Sequence, residues 1–172
     1  MTKKKILALI ITAHNVDDKF LVLLENFNQQ RLPKNWICHI FIGVDGCDKT
    51  KDLLIKNNVE FYFSKKNVGT YIISNSLIDI AKSYDPDIYA RFDSDDLPQK
   101  NYLFNGIKNC KKIDFVRANF RWKKHPTRNG NNYEPAYGVI FIKSFLFSKI
   151  GGYSEYRIEG DNDLIIRLKN LG

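Results

Sequence analysis

Three closely spaced carboxylates follow a mainly apolar and aromatic run. The segment Ile88–Phe92 is followed directly by Asp93, Asp95 and Asp96, with Ser94 between the first two. Like charges at this spacing repel one another, and burial raises the pKa of a carboxyl group unless a cation or hydrogen-bond donors compensate. Oxygen ligands of this kind suit Mg²⁺, Mn²⁺ or Ca²⁺, and the first two commonly take further ligands from water and substrate phosphates. A divalent metal site that also binds a substrate phosphate is therefore one interpretation of this spacing.

An acidic turn that caps the next helix is the alternative interpretation of these carboxylates. Asp95 or Asp96 would then be the N-cap residue in front of Leu97 and Pro98. Short acidic turns are abundant, so the four residues taken alone favour the turn. The predicted strands and helices around the carboxylates are therefore needed to choose between the two interpretations.

The first half of the chain alternates apolar strand patterns with helical patterns. Ile6–Ile11 is continuously apolar, as expected for a strand buried on both faces. This alternation predicts a parallel α/β sheet. The predicted strands are Ile6–Ile11, Trp36–Val44, Glu60–Ser64 and the segment ending at Asp93, and the predicted helices begin near Asp17, Thr50 and Gly69.

Each of the four predicted strands is followed by a polar segment. In open α/β sheets, ligands bind in the crevice outside the carboxyl ends of the strands. We therefore expect the polar ends to converge on one site, which favours the metal site over the acidic turn. The four segments are Thr12–Asn15, Asp45–Asp48, Lys65–Gly69 and Asp93–Asp96.

The second half shows weaker patterns, and we expect one domain for all 172 residues because the chain is too short for a second core. The predicted elements are a helix at Asn101–Lys111, a strand at Phe115–Trp122, a polar loop at Lys123–Glu134, a short strand at Val139–Ile142, a helical turn at Ser144–Lys149 and a helix at Asp161–Leu171.

The formal net charge of +8 favours anionic partners such as nucleotide phosphates, nucleic acid or anionic lipids. A basic nucleic-acid-binding module is one alternative. The carboxylates at the strand ends would repel a polyanion, and no nucleic-acid-binding motif is present, so we expect no nucleic-acid partner. The basic stretch that motivates this alternative contains Arg117, Arg121, Lys123, Lys124 and Arg128.

The three cysteines have no metal-ligand spacing and suggest no disulfide framework. The first apolar run is far shorter than the ~18 residues of a membrane span. We therefore expect a cytoplasmic protein without a transmembrane segment, for which peripheral membrane contact stays open.

The ordered motifs resemble the nucleotide-sugar-dependent glycosyltransferases of family 2. The resemblance covers nearly the whole chain and implies the GT-A fold, a Rossmann-like mixed and mainly parallel sheet flanked by helices. It implies a nucleotide-binding half over about 1–97 and an acceptor-side half over about 98–172. The motifs are Thr12–Asn15, Val44–Asp48, Asn67–Gly69 with Asn75, Ala90–Asp96, Ile150–Tyr153 and Gly160–Leu164 with Arg167.

The resemblance implies a role for each polar strand end. Thr12 and His14 would line the base pocket, with His14 where the family often has a stacking Tyr; a histidine that merely closes the strand is the alternative. Asp45 would accept a hydrogen bond from a uracil-type base, so the expected donor is a UDP-sugar. Asp93 would lie near the ribose, and Asp95 would bind the Mn²⁺ or Mg²⁺ ion that bridges the diphosphate.

The remaining roles concern phosphate and catalysis. Lys65, Asn67 and Gly69 lie between a strand and a helix, where charge and amides can meet a donor phosphate; a solvated surface is the alternative. Asp161 matches the family's general base, which implies a single displacement with inversion at the anomeric carbon. The acceptor hydroxyl, on a glycan, a lipid-linked molecule or a protein, is not identified.

Two features depart from the family pattern. The usual Glu before the base is Gly160 here, so Asp161 acts alone or Glu159 takes part of its role. Asp161 could instead be an N-cap, and the chain could bind nucleotide sugars without catalysis. The segment from Trp122 to Tyr137 has no counterpart in the family, and its aromatic residues are candidates for stacking on a sugar.

Overall fold

The computed structural model describes residues 3–121, 133–156 and 159–171. The strands are β1 (Lys5–Ala13), β2 (Trp36–Asp45), β3 (Tyr62–Ser64), β4 (Ile88–Asp93), β5 (Phe115–Arg121) and β6 (Tyr133–Lys143). The helices are α1 (Asp18–Asn28), α2 (Asp48–Lys56), α3 (Thr70–Ala81), α4 (Tyr102–Cys110), α5 (Ser144–Ile150) and α6 (Gly160–Lys169), with a 3₁₀ turn at Lys82–Tyr84.

Within the described ranges the strands form one sheet in the order β3-β2-β1-β4-β6-β5. The first four strands in this order are parallel to one another. β6 runs antiparallel to β4 and pairs antiparallel with β5 at the edge. The prediction of a mixed, mainly parallel sheet flanked by helices is confirmed.

Buried residues pack against both faces of the sheet. Leu7, Leu9 and Ile11 of β1 belong to one core cluster, whereas Ala8 and Ile10 belong to the other. Their side chains are at most 1% exposed. The continuous apolar run at Ile6–Ile11 is thus explained, because helices cover both faces of a parallel sheet. Each fully buried Leu or Ile stabilises the fold by about 1.5–3 kcal/mol.

β6 is longer than the sequence pattern predicts. It begins at Tyr133, although the prediction placed a loop up to Glu134 and a strand only from Val139. The first residues of β6 pair with β5 alone, with Pro135 opposite Asn119. Pairing with β4 begins only at Ile140, so the missing N–H of Pro135 does not interrupt that ladder. The rest of the predicted loop, residues 123–132, lies outside the described residues.

Candidate functional site

A cavity of about 690 Å³ lies at the carboxyl ends of β1, β2 and β4. This volume falls within the usual range for small-molecule sites. The parallel strands end together here, so polar segments that are far apart in sequence face one space. The cavity is lined by five predicted site residues, Thr12, His14, Asp45, Asp93 and Asp95, and also by Arg91.

Asp93 and Asp95 differ in their surroundings. Asp93 ends β4 and pairs with Arg91, whose Nη2 lies 2.9 Å from its Oδ1. Burial raises the pKa of Asp93, while Arg91 opposes this shift and the Asp95 carboxylate adds to it. Asp95 is exposed at the cavity. One carboxylate is therefore held by the protein, and the other is open to a ligand.

The helix-capping alternative for Asp95 and Asp96 is wrong. The next helix, α4, begins only at Tyr102 and has Asn101 at its N-cap. Leu97 and Pro98, which the alternative placed in the first helical turn, lie in irregular backbone. Asp95 and Asp96 do not cap this helix, so helix capping does not explain why the carboxylates cluster at the cavity.

The donor set at the cavity fits a metal ion that is shared with a ligand. Among the residues that the structure describes, no group of three or more His, Cys, Asp or Glu is arranged to hold a metal ion. Mg²⁺ usually keeps several waters and binds one or two carboxylates together with substrate phosphates. The exposed oxygens of Asp95 suit that kind of coordination, in which a diphosphate supplies the remaining ligands.

The Nδ1 atom of His14 has two polar neighbours. It lies 2.6 Å from the main-chain oxygen of Asp45, which only accepts hydrogen bonds, so Nδ1 is the donor in this contact. The Nδ2 atom of Asn67 lies 3.2 Å from the same Nδ1. His14 is thus oriented at the exposed rim of the cavity rather than buried in the core.

The carboxylate of Asp45 holds the start of α3. Its Oδ1 accepts a hydrogen bond from the Val68 amide at 2.7 Å, and its Oδ2 accepts one from the Gly69 amide at 2.9 Å. The Gly69 amide, which was expected to face phosphate, is therefore bonded within the protein. Asp45 still lines the cavity, and its predicted contact with the base stays a prediction.

Lys65, Asn67 and Gly69 do not line the cavity. Lys65 and Asn67 are exposed on the segment between β3 and α3. Their phosphate role stays a prediction without support from the geometry. The cations that line the cavity are instead Lys19, at the start of α1, and Arg91.

Arg91 is a buried cation within the Ala90–Asp96 motif, and the sequence pattern predicted no role for it. It is 5% exposed. Its Nη1 donates to the Gly138 carbonyl oxygen at 2.7 Å, and its Nη2 donates to Thr70 Oγ1 at 3.0 Å. Thr70 Oγ1 lies 2.5 Å from Thr12 Oγ1, which links the network to β1. The sequence signal that could have found Arg91 is a charged residue inside an otherwise buried strand.

Asp161 lies in the first turn of α6. The N-cap residue of this helix is Glu159, so the N-cap alternative for Asp161 is wrong. The Asp161 side chain interacts with the hydroxyl of Tyr71, and burial together with Asp161 raises the pKa of Tyr71 to about 12. The Asp161 charge also contributes to the raised pKa of Asp93. The charge of Asp161 thus acts on Asp93, although Asp161 does not line the cavity.

Packing explains why the residue before Asp161 is a glycine, Gly160. A Cβ atom at Gly160 would lie 2.6 Å from Cδ2 of Tyr71, closer than non-bonded atoms can approach. The helix packs directly on the tyrosine ring, and no larger residue, including the family's Glu, fits without a shift. Glu159 is exposed and has a left-handed backbone, with φ 63°.

Asn75 and Arg167 hold the turn between α5 and α6. Asn75 accepts from the Tyr153 amide at 2.9 Å and donates to the Tyr153 carbonyl at 2.8 Å. Arg167 donates to the carbonyl oxygens of Ile150 and Gly152 at 2.8 and 2.9 Å, and to Asp163 at 2.8 Å. These motif residues are structural, and they fix the helix that carries Asp161.

Several residues named by the sequence analysis cannot be placed. Trp122, Lys123, Lys124 and Arg128 lie outside the described residues, so neither the sugar-stacking nor the nucleic-acid alternative is tested there. No helix within the described ranges is long and apolar enough to cross a membrane.

No protein-family model matches the sequence, and no curated protein matches it. Solved structures are similar to it. A structure of Staphylococcus aureus TarS (residues 1–349) in complex with UDP has a TM-score of 0.71 and 14% identity, covering 94% of this chain and 54% of TarS. The mannosyltransferase PcManGT from Pyrobaculum calidifontis, in complex with GDP-Man and Mn²⁺, has a TM-score of 0.71 and 15% identity, covering 99% of this chain and 54% of its own.

A further TarS structure, in complex with UDP-GlcNAc, has a TM-score of 0.64 and 15% identity, covering 86% of this chain and 48% of TarS. This chain therefore spans about half the length of the structures it matches. At these identities the similarity concerns the fold, and it confirms the prediction of a GT-A-like α/β fold.

Proposed function

We propose that the protein binds a nucleoside-diphosphate sugar in the strand-end cavity and transfers the sugar to an acceptor hydroxyl with inversion. The observation that carries the proposal is the convergence of Thr12, His14, Asp45, Asp93 and Asp95 on one cavity. Two fold neighbours support it, since their structures contain UDP or GDP-Man.

The donor would lie across the ends of β1, β2 and β4. Thr12 and His14 would contact the base. Asp93 would accept a hydrogen bond from the ribose. The Mn²⁺ bound to one neighbour suggests that Asp95 of this chain takes a divalent metal, which would neutralise charge on the leaving diphosphate.

Asp161 would be the general base. The acceptor hydroxyl must lose its proton as its oxygen attacks the anomeric carbon, and a carboxylate on the opposite side of the sugar can accept that proton. Asp161 belongs to α6, on the acceptor-side half, and its charge reaches Asp93. Attack from the side opposite the diphosphate gives inversion in a single displacement.

A thermal-shift screen tests donor binding. UDP, GDP, UDP-GlcNAc and GDP-Man would each be added with Mn²⁺ or with a chelator. A ligand at 100 times its dissociation constant stabilises the folded state by about 2.7 kcal/mol, so a clear rise in melting temperature is expected for at least one nucleotide. We expect UDP to give a larger shift than GDP because of the proposed contact with Asp45.

Asp95→Ala should abolish the part of the shift that requires Mn²⁺. Asp52→Ala, which removes an exposed carboxylate outside the cavity lining, is the matched control and should leave the shift unchanged. Equal metal-dependent shifts in all three proteins would refute the metal assignment. No shift with any nucleotide would refute the proposed function itself.

A nucleotide-sugar-binding domain without catalysis is the second candidate. Gly160, in place of the family's Glu, favours it, although the contact with Tyr71 gives that glycine a packing reason. Release of UDP or GDP from the sugar donor in the presence of candidate acceptors distinguishes the two functions. A binding domain would show the thermal shift without release.

A further inference from the structure

Arg91 lies at the cavity wall, where several elements meet. Through its terminal nitrogens it contacts Asp93 of its own strand, Gly138 of β6 and Thr70 of α3. Thr70 in turn contacts Thr12 of β1. Burying a cation is costly unless it is paired and hydrogen-bonded. The two terminal nitrogens of Arg91 are paired in this way, whereas its buried Nε has no hydrogen-bond partner among the described residues.

The guanidinium group also contacts an aromatic ring of α3. Its central carbon lies 5.5 Å from the centroid of the Tyr71 ring, within the range of a cation–π contact. The Tyr71 side chain interacts with the Asp161 carboxylate. A continuous path of contacts therefore runs from Asp93 through Arg91 and Tyr71 to Asp161.

Two glycines make room for this path. A Cβ atom at Gly138 would overlap Asp93 Oδ2 and would lie 2.6 Å from Arg91 Nη1. A Cβ atom at Gly160 would overlap the Tyr71 ring. The backbone thus approaches the path closely at both ends, so a residue larger than glycine at either position would displace Asp93, Arg91 or Tyr71.

We propose that Arg91 is a positioning residue that sets the separation between Asp93 on the donor side and Asp161 on the acceptor side. The inference rests on the proposed transfer reaction, in which both carboxylates act on one sugar. A misplacement of about 1 Å can lower the rate of such a reaction about 100-fold. The planar fork of arginine allows several hydrogen bonds and ring stacking together, which the ammonium group of lysine does not.

Arg91→Lys is the most direct test. The lysine keeps a positive charge near Asp93 but cannot contact Thr70, Gly138 and the Tyr71 ring at once. We expect kcat for donor turnover to fall at least tenfold, and by a larger factor than the dissociation constant for the nucleotide with Mn²⁺ rises. Arg31→Lys is the matched control, because Arg31 also stacks on an aromatic ring, Phe104, but is exposed and outside the cavity lining.

A double mutant separates positioning from a general loss of structure. In an Asp161→Asn background, Arg91→Lys should lower the residual kcat less than threefold, because the carboxylate that it positions is already absent. An equal loss in both backgrounds, or an unchanged kcat in the single variant, would overturn the inference. Loss of nucleotide binding with kcat unchanged would overturn it as well.

If Arg91→Lys does not fold, Tyr71→Phe is a second test of the contacts that lead from Arg91 to Asp161. The phenylalanine retains the ring beneath Arg91 and removes only the hydroxyl that meets Asp161. A tenfold lower kcat with unchanged nucleotide binding supports the path, and a wild-type kcat overturns it. A wild-type protein without turnover on any donor refutes the proposed function and this inference together, whereas wild-type turnover without the coupling refutes the inference alone.

Discussion

The carboxylates of the cavity wall and those of the last helix carry the same charge in different surroundings. Asp95 is exposed at the cavity. Asp163 accepts hydrogen bonds from Ser154 at 2.5 Å and from Arg167 at 2.8 Å, and these bonds lower its pKa. The difference teaches that carboxylates that look alike in sequence can be exposed at a cavity, as Asp95 is, or hydrogen-bonded within the protein, as Asp163 is.

The largest expected effect on stability is at Arg167. Arg167→Met removes three hydrogen bonds that hold the turn before α6 and leaves Asp163 without its cation. We expect the free energy of unfolding to fall by about 3 kcal/mol, measured by urea denaturation. Lys169→Met, an exposed change in the same helix, should cost less than about 0.5 kcal/mol. Equal values for the two variants would contradict the structural role of Arg167.

A smaller effect is expected at Gly160. Gly160→Ala places a methyl group against the Tyr71 ring, and overpacking of this kind costs about 1–3 kcal/mol. Tyr71→Leu should relieve the contact, so the alanine should cost less in that background. Thermal and urea denaturation of the four proteins measure this coupling. If the losses in the free energy of unfolding from Gly160→Ala and Tyr71→Leu simply add in the double variant, the Tyr71 ring is not the reason for glycine at position 160.

Alkaline pH should lower stability through Tyr71. Burial and Asp161 raise its folded-state pKa to about 12 from 10.0, so the folded state retains the hydroxyl proton to higher pH. The associated stability is fully present below about pH 10 and is lost as the pH rises towards 12. Tyr71→Phe should flatten this decline in urea denaturation between pH 9 and 12. Tyr62→Phe, which changes an exposed tyrosine, is the control and should not flatten the decline. If Tyr71→Phe leaves the decline unchanged, Tyr71 is not its cause.

The smallest effect on stability is expected at the cavity wall. Asp95→Ala removes an exposed carboxylate beside other carboxylates, so the free energy of unfolding should change by less than about 0.5 kcal/mol without ligand. Urea denaturation without metal or nucleotide measures this value. A loss as large as that of Arg167→Met would make Asp95 a structural residue and remove the contrast between the two regions.

Local patterns were sufficient to predict the main elements of the fold. The apolar run Ile6–Ile11 predicted the strand buried on both faces, and the polar ends after successive strands predicted the edge where the cavity lies. These features depend on the period of burial and on the direction of parallel strands, both of which are visible in sequence.

Contacts between distant segments could not be predicted. The bonds from Asp45 to the amides of Val68 and Gly69, and the packing of Gly160 on Tyr71, join residues far apart in the chain. The early start of β6 likewise depends on pairing with β5. Such contacts decide whether a polar motif residue faces a ligand or another part of the protein.

The most direct test of the central claim compares two carboxylates of α6. Release of UDP or GDP from the donor that binds in the screen would be measured for Asp161→Asn and Asp163→Asn, at equal folded concentration. We expect Asp161→Asn to keep its melting temperature and donor affinity and to lose about 10²–10⁴-fold in turnover. Asp163→Asn should lose stability first and retain most turnover per folded molecule. Wild-type turnover in Asp161→Asn would contradict the assignment of the general base.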